Sequence, residues 1–289
     1  MIESHTFHAL EKGPRLTILG SVHGNEICGP IAIREMMTQI AKGVIRLKKG
    51  SVTFIPCCNP RAAELDRRFV EHNLNRCFGP KPQPQFYEDH LMNVLHPYLE
   101  RTDFLLDIHS YTAGGPAFAI CAADTREKGE EDFIASFGVD YMLYGWGQAY
   151  AKSGVAHDPI LSVGTTEYSR RFGTIAATLE CGQHRDPACV PVARRAIEGA
   201  LVHCGLVNGD DGQLPSLMKK SRVDFVQFKQ RDGHFVRPLK HLETVEANEL
   251  LARYDDGEEL RVAFAGRIIM PKDDTPIGAE WYYLAVDVT

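Results

Sequence analysis

Up to about residue 205, short apolar runs alternate with stretches in which apolar residues recur at helical spacing; beyond it they recur at every second position. Leu16 to Val22 has the length of a buried strand. Pro30 suits a first helical turn, and Ile33, Met36 and Ile40 follow it on one helical face. Ser51 to Cys57 predicts the next strand, so strand, helix and strand form a crossover unit that favours parallel pairing. Phe86, Leu91, Val94, Leu95 and Tyr98 predict a second helix, interrupted or ended by Pro97. Phe104 to His109, Ala117 to Ala123, Tyr141 to Tyr144 and Thr174 to Glu180 predict further strands, with a charged helical stretch over 125–136. Asp186 and Pro187 mark the start of a helix whose buried side carries Val190, Ile197, Leu201 and Cys204.

This alternation predicts an α/β domain over residues 1–208, with a mostly parallel mixed sheet flanked by helices. Gly205 to Pro215 is rich in Gly, Asn and Asp and reads as a linker. After it come Val226 and Phe228, then Leu260, Val262 and Phe264, then the run Trp281 to Val288. Their period of two predicts a smaller C-terminal all-β domain over 209–289. Residues 58–84 are polar and show no clean period, and a loop of that length inside a compact domain is usually functional.

Composition narrows the class. A chain of 289 residues buries about three quarters of its unfolded surface and needs no covalent staples. A formal charge of -6 gives no reason to expect nucleic acid or an anionic membrane as partner, so anion recognition must be local. The eight cysteines form no Cys-x-x-Cys and read as reduced, buried small residues. Without a basic and apolar leader at Met1-Ile2-Glu3-Ser4-His5, and without a long apolar run, the expected compartment is cytoplasmic. Association into a homo-oligomer is left open.

The candidate chemistry lies at strand ends. Gly20-Ser21-Val22-His23-Gly24-Asn25-Glu26 follows the first apolar run, and open α/β sheets hold ligands at the carboxyl ends of their strands. His23 and Glu26, three residues apart, can both reach one zinc ion. The same spacing at His8 and Glu11 leads into Lys12-Gly13-Pro14, with no strand expected before it and no helix after it, and carries little weight. His109 ends another strand and supplies a third ligand, and two histidines with one carboxylate are the ligand set of hydrolytic zinc. Asp107 points to the same side of its strand and could orient an imidazole. Glu180 also ends a strand, as a general base or as an ordinary ion-paired strand end. Arg61, Arg67, Arg68, Asn75 and Arg76 in the long loop, and Arg170 and Arg171 before the Glu180 strand, could bind a carboxylate or stabilise an oxyanion, or could simply be solvated.

His23-Gly-Asn-Glu26, Asn59-Pro60-Arg61-Ala62, Asn73-Leu74-Asn75-Arg76-Cys77-Phe78, Asp107-Ile108-His109 and Glu180-Cys181-Gly182 occur in the order and at the spacing of one family. The chain resembles the aspartoacylase and succinylglutamate desuccinylase family, the deacylase branch of the zinc-carboxypeptidase-like fold. The resemblance implies hydrolysis of the amide bond of an N-acyl amino acid, such as N-acetylaspartate or N-succinylglutamate, with one zinc ion per chain. It implies His23, Glu26 and His109 as metal ligands, Glu180 as general base, and Arg68 as the group that polarises the scissile carbonyl. Asn75, Arg76 and Arg170 would hold a substrate carboxylate, with Arg171 the competitor of Arg170. A tyrosine of the C-terminal domain, which would cap the site, would join them. Strand alternation sets Tyr282 with Leu284, Val286 and Val288, and leaves Tyr283, beside Trp281, Ala285 and Asp287, to reach the pocket. Asn73 stands where aspartoacylases carry Asp, and the run after it is nearer the desuccinylase pattern. Two rival readings are a zinc carboxypeptidase trimming small peptides and a noncatalytic α/β protein whose metal site is closed by four protein ligands.

Overall fold

The computed structural model describes residues 1–122, 128–153, 163–209 and 218–288. Its strands are β1 (His5–His8), β2 (Glu11–Leu19), β3 (Lys49–Ile55), β4 (Phe104–Tyr111), β5 (Phe118–Ile120), β6 (Tyr141–Tyr144), β7 (Ile175–Gln183), β8 (Lys219–Phe228), β9 (Gly233–Phe235), β10 (Thr244–Val245), β11 (Leu250–Tyr254), β12 (Glu259–Arg261), β13 (Gly266–Ile269) and β14 (Glu280–Val288). Its helices are α1 (Cys28–Ala41), α2 (Pro60–Glu64), α3 (Tyr87–Leu99), α4 (Lys128–Ala135), α5 (Trp146–Lys152), α6 (Thr165–Arg170) and α7 (Cys189–His203). Ala123, residues 125–127 of the expected helix and residues 210–215 of the expected linker lie outside the described residues.

The continuous apolar runs become strands because both their faces are buried. In β4, Leu106 and Ile108 join the cluster covered by α1, α4 and α7, whereas Leu105 joins the one covered by α3 and α6. Asp107 and His109 lie on the Leu105 face, so this strand changes from apolar packing to chemistry toward its carboxyl end. β3, β2, β4 and β7 are successive parallel neighbours. β2 therefore has β3 on one side and β4 on the other, and the crevice beyond its carboxyl end is a topological switch point.

The sheet is mixed. β1 adds antiparallel to β3, and beyond β7 the order continues through β5, β6, β8, β14, β13 and β10. The parallel pairing of β6 with β8 carries the strands after residue 218 into the same eleven-stranded sheet. β12, β11 and β9 make a separate antiparallel sheet of three strands. No helix among the described residues is long and apolar enough to cross a membrane.

Several boundaries differ from the sequence reading. α1 begins at Cys28, ahead of Pro30, and α3 runs on through Pro97, which sits in its last turn where a missing N–H costs little continuity. β7 continues past Glu180 to Gln183. α7 begins at Cys189, because Asp186 accepts the Ala188 N–H at 2.9 Å in a turn that precedes the helix. His8 and Glu11, expected outside any strand, lie in β1 and β2 and are exposed. α2, α5 and α6 are too short for helical periodicity to reveal them.

Candidate metal centre and active site

The loop after β2 folds back so that Glu26 reaches both histidines. His23 Nδ1 lies 2.8 Å from Glu26 Oε1, and His109 Nδ1 lies 2.9 Å from Glu26 Oε2 and 3.1 Å from His23 Nδ1. All three residues are buried, and their ligand atoms lie within 4.8 Å of one another. Gly24 allows this, because a Cβ there would meet the Ala62 carbonyl carbon at 2.2 Å where α2 passes the loop. Two imidazole nitrogens and one carboxylate oxygen that converge in a dry pocket fit a divalent cation, and this is a borderline-soft donor set.

What stands behind each imidazole supports the same assignment. His23 Nε2 lies 3.0 Å from Asn73 Oδ1, and His109 Nε2 lies 3.0 Å from Asp107 Oδ2. The Asn73 acceptor behind His23 favours a proton on its Nε2 and leaves Nδ1 for a cation, while the Asp107 carboxylate beside His109 Nε2, close but not aligned for a hydrogen bond, draws positive charge onto that ring. Asp107 is itself fixed by the Thr165 hydroxyl, which donates to its Oδ2. The Asn73 carboxamide also accepts the Asn75 N–H at 2.9 Å, so the turn that presents Asn75 and Arg76 is joined to His23. Sequence reasoning marked Asn73 only as a departure from aspartoacylases; its amide is the acceptor behind His23.

The charges are strongly perturbed. Burial opposes charge on His109, but Asp107 and Glu26 outweigh it and hold its pKa well above the usual histidine value. Burial and Arg68 push His23 down to about 3. Burial opposes charge on Glu26 too, yet the two histidines hold it well below the ordinary carboxylate range. Glu180 is pushed up to about 8, by burial first and by Glu26 as a like charge, against the pull of His109. It pairs in register with His109 across the β4–β7 ladder, and its buried Oε2 has no hydrogen-bond partner among the described residues. A buried carboxylate kept short of partners beside a cation site is a proton acceptor in waiting.

Among the described residues, Arg68 is the arginine of the long loop that reaches this centre: its Nη1 lies 3.3 Å from Glu26 Oε1. Asn75 Oδ1 accepts the Thr165 N–H at 2.9 Å, which leaves its amide N–H2 free to donate. Arg76 Nη1 donates to the Asn75 carbonyl at 2.8 Å, and Nη2 lies 3.9 Å from Glu280 Oε1. Glu280 accepts the Tyr150 hydroxyl at 2.6 Å, and Tyr150 is 2.8 Å from the Tyr283 hydroxyl. Tyr283 is thus buried at the end of a chain that leads to Arg76, whereas Tyr282 packs with Leu284.

Arg170 corrects an expectation. Its Nε donates to Glu130 at 2.6 Å, its Nη1 lies 3.2 Å from Glu167, and its Nη2 donates to the Ala176 carbonyl at 2.7 Å. Ala176 is four residues before Glu180 on β7, about 13 Å along a strand, so this guanidinium clamps α6 to α4 and the sheet and does not face the metal centre. Arg171 is exposed, with its guanidinium 5.8 Å from the Tyr168 ring, and Arg61 and Arg67 are exposed as well. Lys272, which no motif marked, follows β13 and is half-buried; its ammonium lies in the field of Arg68, Glu280, Glu26 and Glu180, and burial followed by Arg68 lowers its pKa.

Residues 12–200 match the family model of the succinylglutamate desuccinylase/aspartoacylase catalytic domain. Among curated proteins, the chain is 25% identical over 205 residues to the N-alpha-acetyl-L-2,4-diaminobutyric acid deacetylase of Halomonas elongata, covering 69% of this chain and 57% of that protein. It is 32% identical over 112 residues to the human N-acyl-aromatic-L-amino acid amidohydrolase (carboxylate-forming), 34% of each chain. The alignments thus span little more than half, or less, of these relatives' lengths. In fold it is similar to a succinylglutamate desuccinylase/aspartoacylase from Rhodobacter sphaeroides, with a TM-score of 0.80 at 19% identity over 99% of this chain and 90% of that one. The product-bound ectoine utilization protein EutE from Ruegeria pomeroyi gives 0.78 at 21% identity over 98% and 88%.

Proposed function

Because the chain belongs to the succinylglutamate desuccinylase/aspartoacylase family, we propose that it is a zinc-dependent amidohydrolase that splits an N-acyl amino acid into a carboxylate and a free amino acid. The observation that carries this reading is the convergence of His23, Glu26 and His109 beside a buried carboxylate oxygen of Glu180 that has no hydrogen-bond partner among the described residues.

A zinc ion held by those three residues would supply Lewis acidity, polarising the scissile carbonyl and acidifying a water molecule. Glu180 takes the proton of the attacking water at its carboxylate and returns it to the amine nitrogen as the amide bond breaks. The Arg68 guanidinium donates to the carbonyl oxygen as it gains charge. Asn73 holds the His23 imidazole in the tautomer that leaves Nδ1 unprotonated, and the Asp107 charge 3.0 Å from His109 Nε2 favours the same tautomer there. The Asn75 amide, Arg76 and Lys272 bind the substrate carboxylate, with Tyr283 acting on Arg76 through Tyr150 and Glu280. The segment after residue 218, with Glu280 and Tyr283 on β14 and Lys272 in the connection before it, caps the site.

The acyl amino acid is of the N-acetylaspartate or N-succinylglutamate kind. Glu280 favours a second substrate class. Burial opposes its charge, but the Tyr150 hydroxyl and Arg76 hold its pKa below the usual value, and an ionised carboxylate beside Arg76 suits a substrate that carries an ammonium. The Halomonas relative is named for a diamino acid.

The test incubates zinc-loaded protein, and protein treated with a chelator, with N-acetylaspartate, N-succinylglutamate, N-acetyl-2,4-diaminobutyrate and a C-terminally free dipeptide, and assays released amine. Metal-dependent release from an N-acyl amino acid is expected. Release from the dipeptide alone would make the protein a carboxypeptidase, and release from none would leave a noncatalytic metal protein.

A further inference from the structure

Asn59 and Pro60 belong to the motif set of the family, yet neither touches the three metal ligands. Asn59 is fully buried. Its N–H donates to the Ser21 carbonyl at 2.9 Å, its Oδ1 accepts the Ala62 N–H at 3.2 Å, and its Nδ2 donates to Glu88 Oε1 at 3.1 Å. Glu88, in the first turn of α3, is fully buried as well. Its Oε1 also accepts the Val70 N–H at 2.7 Å, and its Oε2 accepts the Glu71 and His72 N–H groups at 3.2 and 3.3 Å. Each carboxylate oxygen therefore receives two donors, and three successive backbone amides point at one side chain.

The segment so held is the one that carries the substrate arginines. At one end, the Arg68 carbonyl accepts the Gly24 N–H at 3.1 Å; at the other, Asn73 lies against His23. Between these ties, Glu88 receives the backbone N–H groups of residues 70–72, while side chains add looser contacts to the same end of α3: the Glu71 carboxylate accepts the Tyr87 N–H, and His72 Nε2 lies 3.2 Å from Asp89 Oδ1. We propose that Glu88 is a positioning residue whose carboxylate locks residues 70–72 to α3 and, through Asn59, to the loop bearing His23 and Glu26. Arg68 and the Asn75–Arg76 turn are thereby held at a fixed distance from the metal ligands. A glutamine cannot replace it, because in either amide orientation an NH2 group would face two donors. Aspartate keeps the charge and loses a methylene of reach. The kinetic part of this inference rests on the amidohydrolase function proposed above; the structural part does not.

The experiment compares wild type, Glu88→Gln and Glu88→Asp by amide hydrogen exchange over residues 70–72, zinc content and steady-state kinetics on the best N-acyl amino acid. Expected for Glu88→Gln are at least tenfold faster exchange of those amides, unchanged zinc content and a KM raised tenfold or more with a smaller fall in kcat, with Glu88→Asp in between. Unchanged exchange in Glu88→Gln would overturn the proposal, as would wild-type KM with only a lowered melting temperature. If Glu88→Gln does not fold, Glu88→Asp is read by the same criteria. If the wild type hydrolyses none of the substrates, the proposed function fails, and the exchange comparison alone decides the role of Glu88.

Discussion

Glu180 and His109 are register partners: their Cα positions pair across the parallel β4–β7 ladder and both side chains leave the same face of the sheet. The backbone hydrogen bonds of two buried strands, and not a loop, set the Glu180 carboxylate beside His109. Glu180→Gln should keep zinc and fold while losing about 10² to 10⁴ in kcat, since an amide cannot accept the proton. Near-normal kcat at full zinc content would assign the base elsewhere.

Metal affinity should depend steeply on pH. Asp107 and Glu26 hold a proton on His109 well above its ordinary pKa, and a cation that takes the Nδ1 lone pair must displace it. Affinity therefore rises as pH rises, roughly tenfold per unit where one proton is released. Chelator competition between pH 6 and 8 measures the slope, and His23→Ala or His109→Ala should abolish stoichiometric zinc. A flat profile, or full zinc in either variant, would remove these residues from the ligand set.

Arg68 and the pair Arg76 and Lys272 should separate kinetically. Arg68 lies against Glu26 and would act on developing charge, so Arg68→Ala lowers kcat. Arg76→Ala and Lys272→Met remove ground-state attraction for the substrate carboxylate and chiefly raise KM, Lys272→Met most for acidic substrates. A uniform loss of kcat in all three would mean that they share one role.

Tyr283→Phe removes a hydroxyl 2.8 Å from that of Tyr150 and loosens the path through Glu280 to Arg76. One neutral hydrogen bond is worth about 0.5 to 1.5 kcal/mol, so KM should rise roughly twofold to tenfold at constant zinc. Tyr282→Phe, a change within the packing around Leu284, should leave the kinetics alone. The reverse pattern would mean that Tyr282 and not Tyr283 serves the site.

His241 predicts acid sensitivity. It is buried between the Tyr111 and Phe118 rings, its Nδ1 accepts the Met270 N–H at 3.1 Å, and burial pushes its pKa down to about 3. The folded-state pKa lies below the unfolded value of about 6.5, so above 6.5 both states are neutral and nothing is lost. As pH falls below 6.5 the unfolded chain takes up the proton first, and stability drops by up to about 1.4 kcal/mol per unit until pH nears 3. Denaturant titrations at pH 6.5 and 4.5 should show a smaller pH-dependent loss in His241→Gln than in wild type. An equal loss would place the acid-labile group elsewhere.

The parallel strands and the residues at their carboxyl ends were legible because doubly buried strands leave unbroken apolar runs, and a polar residue at the end of such a run stands out. Alternation failed at one place. Strict period two sets Trp281 with Tyr283, but a register shift between Glu280 and Tyr282 inserts Trp281 as a bulge, and its indole joins the Tyr282 cluster. A bulge of one residue leaves no mark in composition. Arg170 sits ten residues before Glu180, and such spacing says nothing of direction: its side chain is drawn to Glu130, from a helix far away in sequence. The surroundings of Lys272 and Glu88, and the contact of Asn73 with His23, were not legible because they rest on neighbours that only folding brings near.

The unbroken pairing from β7 through β5, β6 and β8 to β14 has a mechanical consequence. A stiff hydrogen-bonded plate carries both the Glu180 carboxylate beside His109 and the tyrosine that leads to Arg76, so the two cannot swing apart without tearing a ladder. For the proposed site this makes a fixed gauge: a substrate longer or shorter by one methylene would lose turnover, because the plate cannot stretch to meet it.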